Sequence, residues 1–190
     1  MDKTSEIQME LETLVLQSIG KYLSYIRLNG EDMGTQHAPL INPAYYKKVV
    51  KPKHQREWSH IKREFHKVNP DGKLSIHSCG CVYPMIPDMI EAGMDMLDPV
   101  QANAAMMDTA VLGREFGDRL CFHGGIDTQR LMPNGTPEEI RRDVKKRIRD
   151  LGQNGGYICA PAHNLQYGVP QENIVALYEA IHEFGRYPLV

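Results

Sequence analysis

The feature that most constrains this chain is a repeated alternation of short apolar segments with longer segments of helical periodicity. The short segments have strand character and occupy 23–28, 73–79, 95–97, 119–123 and 156–160. The helical segments occupy 4–19, 42–67, 84–92, 108–116, 136–151 and 170–184. Strands that alternate with helices in this way pair in parallel, and right-handed crossovers curl the sheet toward a barrel.

A closed barrel of eight strands usually takes about 250 residues, and this chain has 190. We therefore predict an α/β fold, a partial (β/α) TIM-type barrel with about five parallel strands. It forms a single domain over 1–190, in which 1–22 is a leading helix. A barrel this short either pairs with another copy or another chain, or it is a fragment of a longer gene product. An exposed strand edge that stayed uncovered would invite aggregation.

Local signals set the beginnings of two helices. Asn42 followed by Pro43 offers a capping side chain and then a ring that fixes φ at the first helical position. The run Thr-Pro-Glu-Glu at 136–139 is a capping box. Pro52 predicts a kink inside the segment 42–67, because proline lacks the N–H that a helix interior uses.

The composition is that of a globular protein: apolar residues are 42% of the chain, charged residues 24%, and the formal net charge is −2. There is no basic field that would attract nucleic acid, and no apolar run approaches the ~18 residues that a membrane span needs. The N-terminus is charged and lacks a signal-peptide core. Four cysteines are too few for a disulfide scaffold. We therefore expect a cytoplasmic protein that binds neither membrane nor nucleic acid.

Polar or ligand-capable residues follow each predicted strand, and in a βα barrel the chemistry lies at these carboxyl ends. The five strand ends read Glu31-Asp32, His77-Ser-Cys79, Asp98-Pro-Val-Gln101, Gly124-Gly-Ile-Asp127 and Cys159-Ala-Pro-Ala-His163-Asn164. His163 either carries a proton near neutral pH or simply ties its loop to the rim. Asp98 and Asp127 precede helices, so each is either a pocket residue or a cap for free backbone N–H groups. No helix start follows Asp32 closely.

One pair of these residues has the spacing of metal ligands. His77 and Cys79 are two residues apart on a strand, so their side chains share a face and can close on one metal ion. Cys159 ends the last strand and can supply a third ligand from across the site. Three protein ligands with an open fourth position are typical of a catalytic zinc, which here would bind and deprotonate a substrate thiol.

The alternative to a metal site is that the cysteines are small apolar core residues. Cys81 either displaces one of the ligands or is a bystander. Cys121 and His123 are interpreted as core or pocket lining rather than as a second metal site.

Ordered motifs between about residues 23 and 188 resemble the uroporphyrinogen decarboxylase superfamily. They include Asp32-Met-Gly-Thr-Gln, His77-Ser-Cys-Gly, Asp98-Pro-Val-Gln101, Gly124-Gly-Ile-Asp127 and Ala160-Pro-Ala-His-Asn164. The resemblance covers nearly the whole chain but corresponds to only the C-terminal portion of the family's (β/α)8 barrel. The N-terminal portion, which in the decarboxylases carries substrate-binding arginine and aspartate, lies outside the resemblance.

The superfamily implies two chemistries. Its decarboxylases remove carboxylates from a tetrapyrrole in porphyrin biosynthesis without a cofactor. Its methylcobamide:coenzyme M type methyltransferases use zinc to activate a thiol toward a methyl-corrinoid. His77, Cys79 and Cys159 match the zinc pattern of the methyltransferases, and His163 matches an active-site histidine of the decarboxylases.

The resemblance therefore implies an enzyme derived from a methyltransferase or a carboxy-lyase, and we expect zinc-assisted methyl transfer from a corrinoid to a thiol. The expected zinc ligands are His77, Cys79 and Cys159, the expected catalytic residues His163 and Asp32, and the expected substrate-binding residues Gln101, Asp127, Asn164 and Asp98. The corrinoid would come on a partner protein. The alternatives are decarboxylation of a tetrapyrrole, and a chain inactive alone that completes a barrel with another copy or with an N-terminal half-barrel.

Overall fold

Five parallel strands form a single sheet in chain order, in a computed structural model that describes residues 2–28 and 30–189. The strands are β1 (Tyr25–Leu28), β2 (Lys73–His77), β3 (Met96–Val100), β4 (Cys121–Ile126) and β5 (Tyr157–Pro161). Every neighbouring pair is parallel, which confirms the predicted α/β fold and its five strands. Met1, Asn29 and Val190, which the predicted domain includes, lie outside the described residues.

Helices precede and connect the strands. Within the described residues they are α1 (Asp2–Ile19), α2 (Pro43–Tyr45), α3 (Lys51–Val68), α4 (Ile86–Ala92), α5 (Thr109–Phe116), α6 (Leu131–Asn134), α7 (Pro137–Leu151) and α8 (Gln171–Phe184). The predicted helix over 42–67 consists of α2, a π-helical turn (Tyr46–Val50) and α3. The π-helical turn ends just before Pro52, the residue that was expected to disturb this helix.

The two predicted helix starts are capped as expected. Asn42 Oδ1 accepts a hydrogen bond from Ala44 N at 2.8 Å. Thr136 and Glu139 form the reciprocal bonds of a capping box. Helices α2 and α7 therefore begin where the sequence indicates.

The sheet separates a helix-covered side, which holds the core, from an open concave side. On β2, Leu74 and Ile76 belong to the main core cluster, whereas Ser75 and His77 line the opposite face. This division follows from the two-residue period of strands. A second core cluster, between the sheet and helices α7 and α8, contains Ile126, Met132, Ile140, Val144, Ile148, Ala176, Leu177 and Ala180.

The sheet is open, with β1 and β5 at its two edges. Helix α1 packs against α3 and exposes apolar side chains elsewhere along its length. These residues, called the α1 stripe below, are Ile7, Leu11, Leu14, Val15 and Ile19. No helix within 2–28 and 30–189 combines the length and the apolar character that crossing a membrane requires.

Candidate active site on the concave face of the sheet

A cavity of about 690 Å³ lies on the concave face of the sheet. Its polar lining consists of Tyr25, Arg27, Ser75, His77, Asp98, His123, His163, Asn164 and Tyr178. The first four strands contribute to this lining because alternate residues of neighbouring strands face the same side. Of the residues expected to act on a substrate, Asp98, His163 and Asn164 line the cavity.

Asp98 joins three of these strands and is only 5% exposed. Its Oδ1 lies 2.6 Å from His123 Nδ1, and its Oδ2 accepts a hydrogen bond from Arg27 Nε. Burial by itself raises the pKa of Asp98, but the hydrogen bonds from His123 and Arg27 outweigh burial and lower that pKa to about 2. Asp98 is therefore an ionised carboxylate inside β3, not a residue of the following loop. Asp98 does not cap a helix, because its two carboxylate oxygens contact the side chains of His123 and Arg27.

Asp32, His77 and Cys79 bring three potential metal-ligand atoms within 4.8 Å of one another. His77 Nε2 lies 3.6 Å from Cys79 Sγ and 3.3 Å from Asp32 Oδ1. Imidazole nitrogen, thiolate sulfur and carboxylate oxygen all bind zinc, at about 2.0–2.3 Å from the ion. Small side-chain movements would bring these atoms to that distance. The residues therefore fit a divalent cation and leave its fourth position free.

Loop 30–39 holds Asp32 over the turn after β2 by direct contact between two backbones. A Cβ at Gly34 would lie 2.5 Å from Cys81 N, so only glycine allows this approach. Asp32 Oδ1 also accepts a hydrogen bond from Cys79 N at 3.0 Å. Asp32, expected as a catalytic residue, is thus placed as a third potential ligand.

Cys79 is a protonated thiol when no cation is bound. Burial raises its pKa to about 11, and the negative charge of Asp32 contributes to the same effect. A divalent cation at this position would reverse the effect and hold the sulfur as a thiolate. The donor set therefore suits a metal site better than it suits a free cysteine nucleophile.

Cys159 does not join this cluster, and its assignment as the third ligand is wrong. It pairs with Gly124 of β4, one residue beyond the cavity-lining His123, so alternation turns its side chain to the helix side. There it packs against the second core cluster, and burial raises the pKa of its thiol to about 11. The apolar-core alternative describes Cys159. Cys81 is fully buried and is a bystander.

Gln101 and Asp127 stabilise the loops at the rim of the cavity. Gln101 Oε1 accepts a hydrogen bond from Gly80 N at 2.9 Å, and its Nε2 donates to Gln36 Oε1 at 2.7 Å. Asp127 Oδ1 accepts from Asn103 Nδ2 at 3.0 Å and from the backbone N–H two residues ahead at 2.7 Å. Asp127 therefore accepts hydrogen bonds from backbone N–H groups of the turn before α6, whereas α6 itself has no side-chain cap. Substrate binding by Gln101 and Asp127 stays a prediction.

His163 and Asn164 are exposed and lie between two cavities. They line the main cavity together with His77, and they line a second cavity of about 530 Å³ together with Cys79 and Gln101. The loop after β5 therefore faces the Asp32–His77–Cys79 cluster from across the concave side. The catalytic role of His163 and the substrate-binding role of Asn164 stay predictions.

Arg27 is the charged residue of the cavity lining that sequence reasoning missed. It lies between the buried Ile26 and Leu28 on β1, and this alternation places it on the face opposite the core. His123, interpreted from sequence as core or pocket lining, lines the cavity and contacts Asp98. The alternation was visible in the sequence for Arg27. The convergence of Arg27 and His123 on one carboxylate was not.

Known proteins match this chain over most of its length. The family model described as Uroporphyrinogen decarboxylase (URO-D) matches residues 25–184. The chain is similar to a uroporphyrinogen decarboxylase from Thermus thermophilus, with 29% identity over 144 residues that cover 75% of this chain and 38% of the relative. It is also similar to a methylated-thiol–coenzyme M methyltransferase from Methanosarcina mazei, with 28% identity over 147 residues that cover 76% of this chain and 34% of the relative.

A solved structure of a methyltransferase from Methanosarcina mazei shares the fold, with a TM-score of 0.64 over 85% of this chain and 42% of that chain. Its sequence identity is 19%, so this likeness concerns the fold alone. The chain spans 34–42% of the length of these three proteins. Its five strands thus correspond to part of a larger barrel.

Proposed function

The chain belongs to the uroporphyrinogen decarboxylase family, and we propose that its site performs zinc-assisted methyl transfer from a corrinoid to a thiol. The observation that carries the proposal is the cluster of Asp32, His77 and Cys79, whose ligand atoms lie within 4.8 Å of one another. The similarity to a methylated-thiol–coenzyme M methyltransferase supports it. The corrinoid comes on a partner protein.

Asp32, His77 and Cys79 hold the zinc ion in this proposal. When bound, the ion would supply Lewis acidity that lowers the pKa of a substrate thiol toward neutral. Loop 30–39 keeps Asp32 in place through the backbone contact at Gly34. His163, exposed on the facing loop, accepts the proton that the thiol releases, because an unprotonated imidazole nitrogen can act as a general base.

Metal analysis of the purified protein tests this assignment. The wild type is expected to hold about one zinc ion per chain, and Cys79→Ser is expected to lose it. Cys159→Ser is the matched control, because it makes the same substitution at a cysteine that faces the helices, and it is expected to keep zinc. Folded wild-type protein that takes up no zinc from excess metal would refute the proposal. Loss of zinc from folded Cys159→Ser would also contradict it.

A second candidate is metal-free decarboxylation of a tetrapyrrole, and one observation favours it. The cavity presents Arg27 beside the buried Asp98, and arginine binds the carboxylates that such a substrate carries. Similarity to the Thermus thermophilus decarboxylase is consistent with this reaction. Turnover of uroporphyrinogen by chelator-treated protein and by Cys79→Ser would favour decarboxylation over methyl transfer.

Five strands enclose the cavity only in part, and we propose that either reaction needs further strands to complete the barrel around it. The edge of β1 and the α1 stripe lie at the start of the fold, where preceding βα units of a barrel would pack. Five strands leave three of an eight-stranded barrel to be added, whereas a second copy would make ten. We therefore propose an N-terminal half-barrel as the occupant. A monomer in sedimentation experiments agrees with this choice, and a stable homodimer contradicts it.

A further inference from the structure

The contact between Arg27 and His77 fixes which imidazole nitrogen carries the proton. Arg27 Nη2 lies 2.6 Å from His77 Nδ1. A guanidinium has only donors, so Nδ1 is the acceptor and carries no proton. In a neutral ring the proton is then on Nε2, the atom that faces Cys79 and Asp32. This is the atom that the metal cluster requires as an unprotonated donor.

The observed position of Arg27 therefore opposes metal binding at His77. A metal needs the lone pair of Nε2, so the ring proton must move to Nδ1 and find an acceptor there. Asp98 Oδ2 is 3.7 Å from Nδ1, but it already accepts a hydrogen bond from Arg27. Displacing the guanidinium frees Nδ1 and Asp98 Oδ2 together.

We propose that Arg27 is an anion-binding residue of the cavity, and that a carboxylate bound to it switches His77 to the metal-binding tautomer. Among the described residues that line the cavity, Arg27 is the one lysine or arginine. Its side chain is 47% exposed, and its planar fork matches a carboxylate. When Arg27 leaves Asp98, His123 remains 2.6 Å from that buried carboxylate, so Asp98 keeps a partner.

The switch moves a proton without changing the charge of the ring. Nε2 gives its proton to water, and Nδ1 takes a proton from water, keeps it and directs it as a hydrogen bond toward Asp98 Oδ2. Nε2 then has a free lone pair with which it could bind a metal. This inference rests on the proposed metal site. It adds that the substrate carries an acidic group apart from its reacting atom, and that Arg27 acts on the metal through His77 as a positioning residue.

Titration with Co²⁺, which reports thiolate ligation by its absorption, tests the switch in chloride and in acetate at equal ionic strength. Acetate is expected to tighten Co²⁺ binding to the wild type several-fold. Arg27→Met is expected to bind Co²⁺ about 10-fold more tightly than the wild type in chloride, the scale that partners of metal-binding histidines produce, and to ignore acetate. Arg130→Met removes the same charge from an exposed arginine at the rim and is expected to behave like the wild type.

Equal Co²⁺ affinity of the wild type and Arg27→Met in chloride would overturn the switch and leave the metal site standing. Failure of both proteins to bind Co²⁺ while folded would instead refute the proposed metal site. Nitrogen-15 NMR of His77 in the metal-free wild type gives an independent reading. It is expected to show the proton on Nε2 in chloride and a shift toward Nδ1 with acetate. An unchanged tautomer would overturn the inference.

Discussion

Replacing Asp98 by asparagine is expected to lower the free energy of unfolding by about 2 kcal/mol at pH 7. The pKa of Asp98 falls from 3.8 to about 2 in the folded protein, and each pKa unit corresponds to about 1.4 kcal/mol of preference for the ionised form. Asparagine keeps the shape of the side chain but removes the charge that Arg27 and His123 contact. The loss should therefore come from these two interactions.

Urea unfolding of the wild type and of Asp98→Asn at several pH values measures this effect. Because the folded pKa lies below the unfolded value, the stabilisation is fully present above about pH 5 and is lost as the pH falls toward 2. The gap between the two proteins should be constant from about pH 5 to 7 and should narrow below about pH 4. Asp118→Asn, at a carboxylate whose side chain is 75% exposed, is the control and should show almost no gap. Equal stability of Asp98→Asn and the wild type at pH 7 would refute the reasoning.

Three further predictions concern other parts of the molecule. Burial against Trp58 lowers the pKa of His54 to about 4, so the contribution of His54 to stability is complete above about pH 6.5 and declines toward pH 4. In urea unfolding, the stability of His54→Gln should therefore fall less than that of the wild type between about pH 6.5 and 4, and an equal fall would contradict this prediction. Gly34→Ala should weaken Co²⁺ binding at least several-fold, because the new Cβ would lie 2.5 Å from Cys81 N and push away the loop 30–39 that carries Asp32. Unchanged Co²⁺ affinity would show that this loop does not position Asp32. Leu14→Lys replaces an apolar side chain that is 60% exposed in the α1 stripe. It should raise the protein concentration at which light scattering detects aggregates, and an unchanged concentration would show that the α1 stripe does not cause aggregation.

The secondary structure could be predicted because its signals are local. The capping box at Thr136 and Glu139 needs only four consecutive residues, and Asn42 with Pro43 needs only two. The parallel pairing of the strands also followed, because helices that alternate with strands connect parallel neighbours. Ligand-capable residues after the strands included Asp32, His77 and Cys79, which the structure brings close together.

The composition of the site depends on tertiary arrangements that the sequence leaves open. Ile158 and its neighbours Tyr157 and Cys159 form an apolar run, so their alternation does not say which residues face the helices. In the structure Ile158 is 38% exposed and Cys159 packs on the helix side. Asp32 reaches the metal cluster only because loop 30–39 touches the turn after β2, and a contact between distant backbones has no local signal.

X-ray absorption spectroscopy of the zinc-loaded wild type tests the central claim most directly, because it counts the sulfur atoms bound to the ion. We predict one sulfur at about 2.3 Å together with nitrogen and oxygen ligands at about 2.0–2.2 Å, as expected for Cys79, His77 and Asp32. A spectrum with two sulfur ligands in the protein without added thiol would contradict the account, because it would require a second cysteine at a site where the structure places only Cys79 among the described residues.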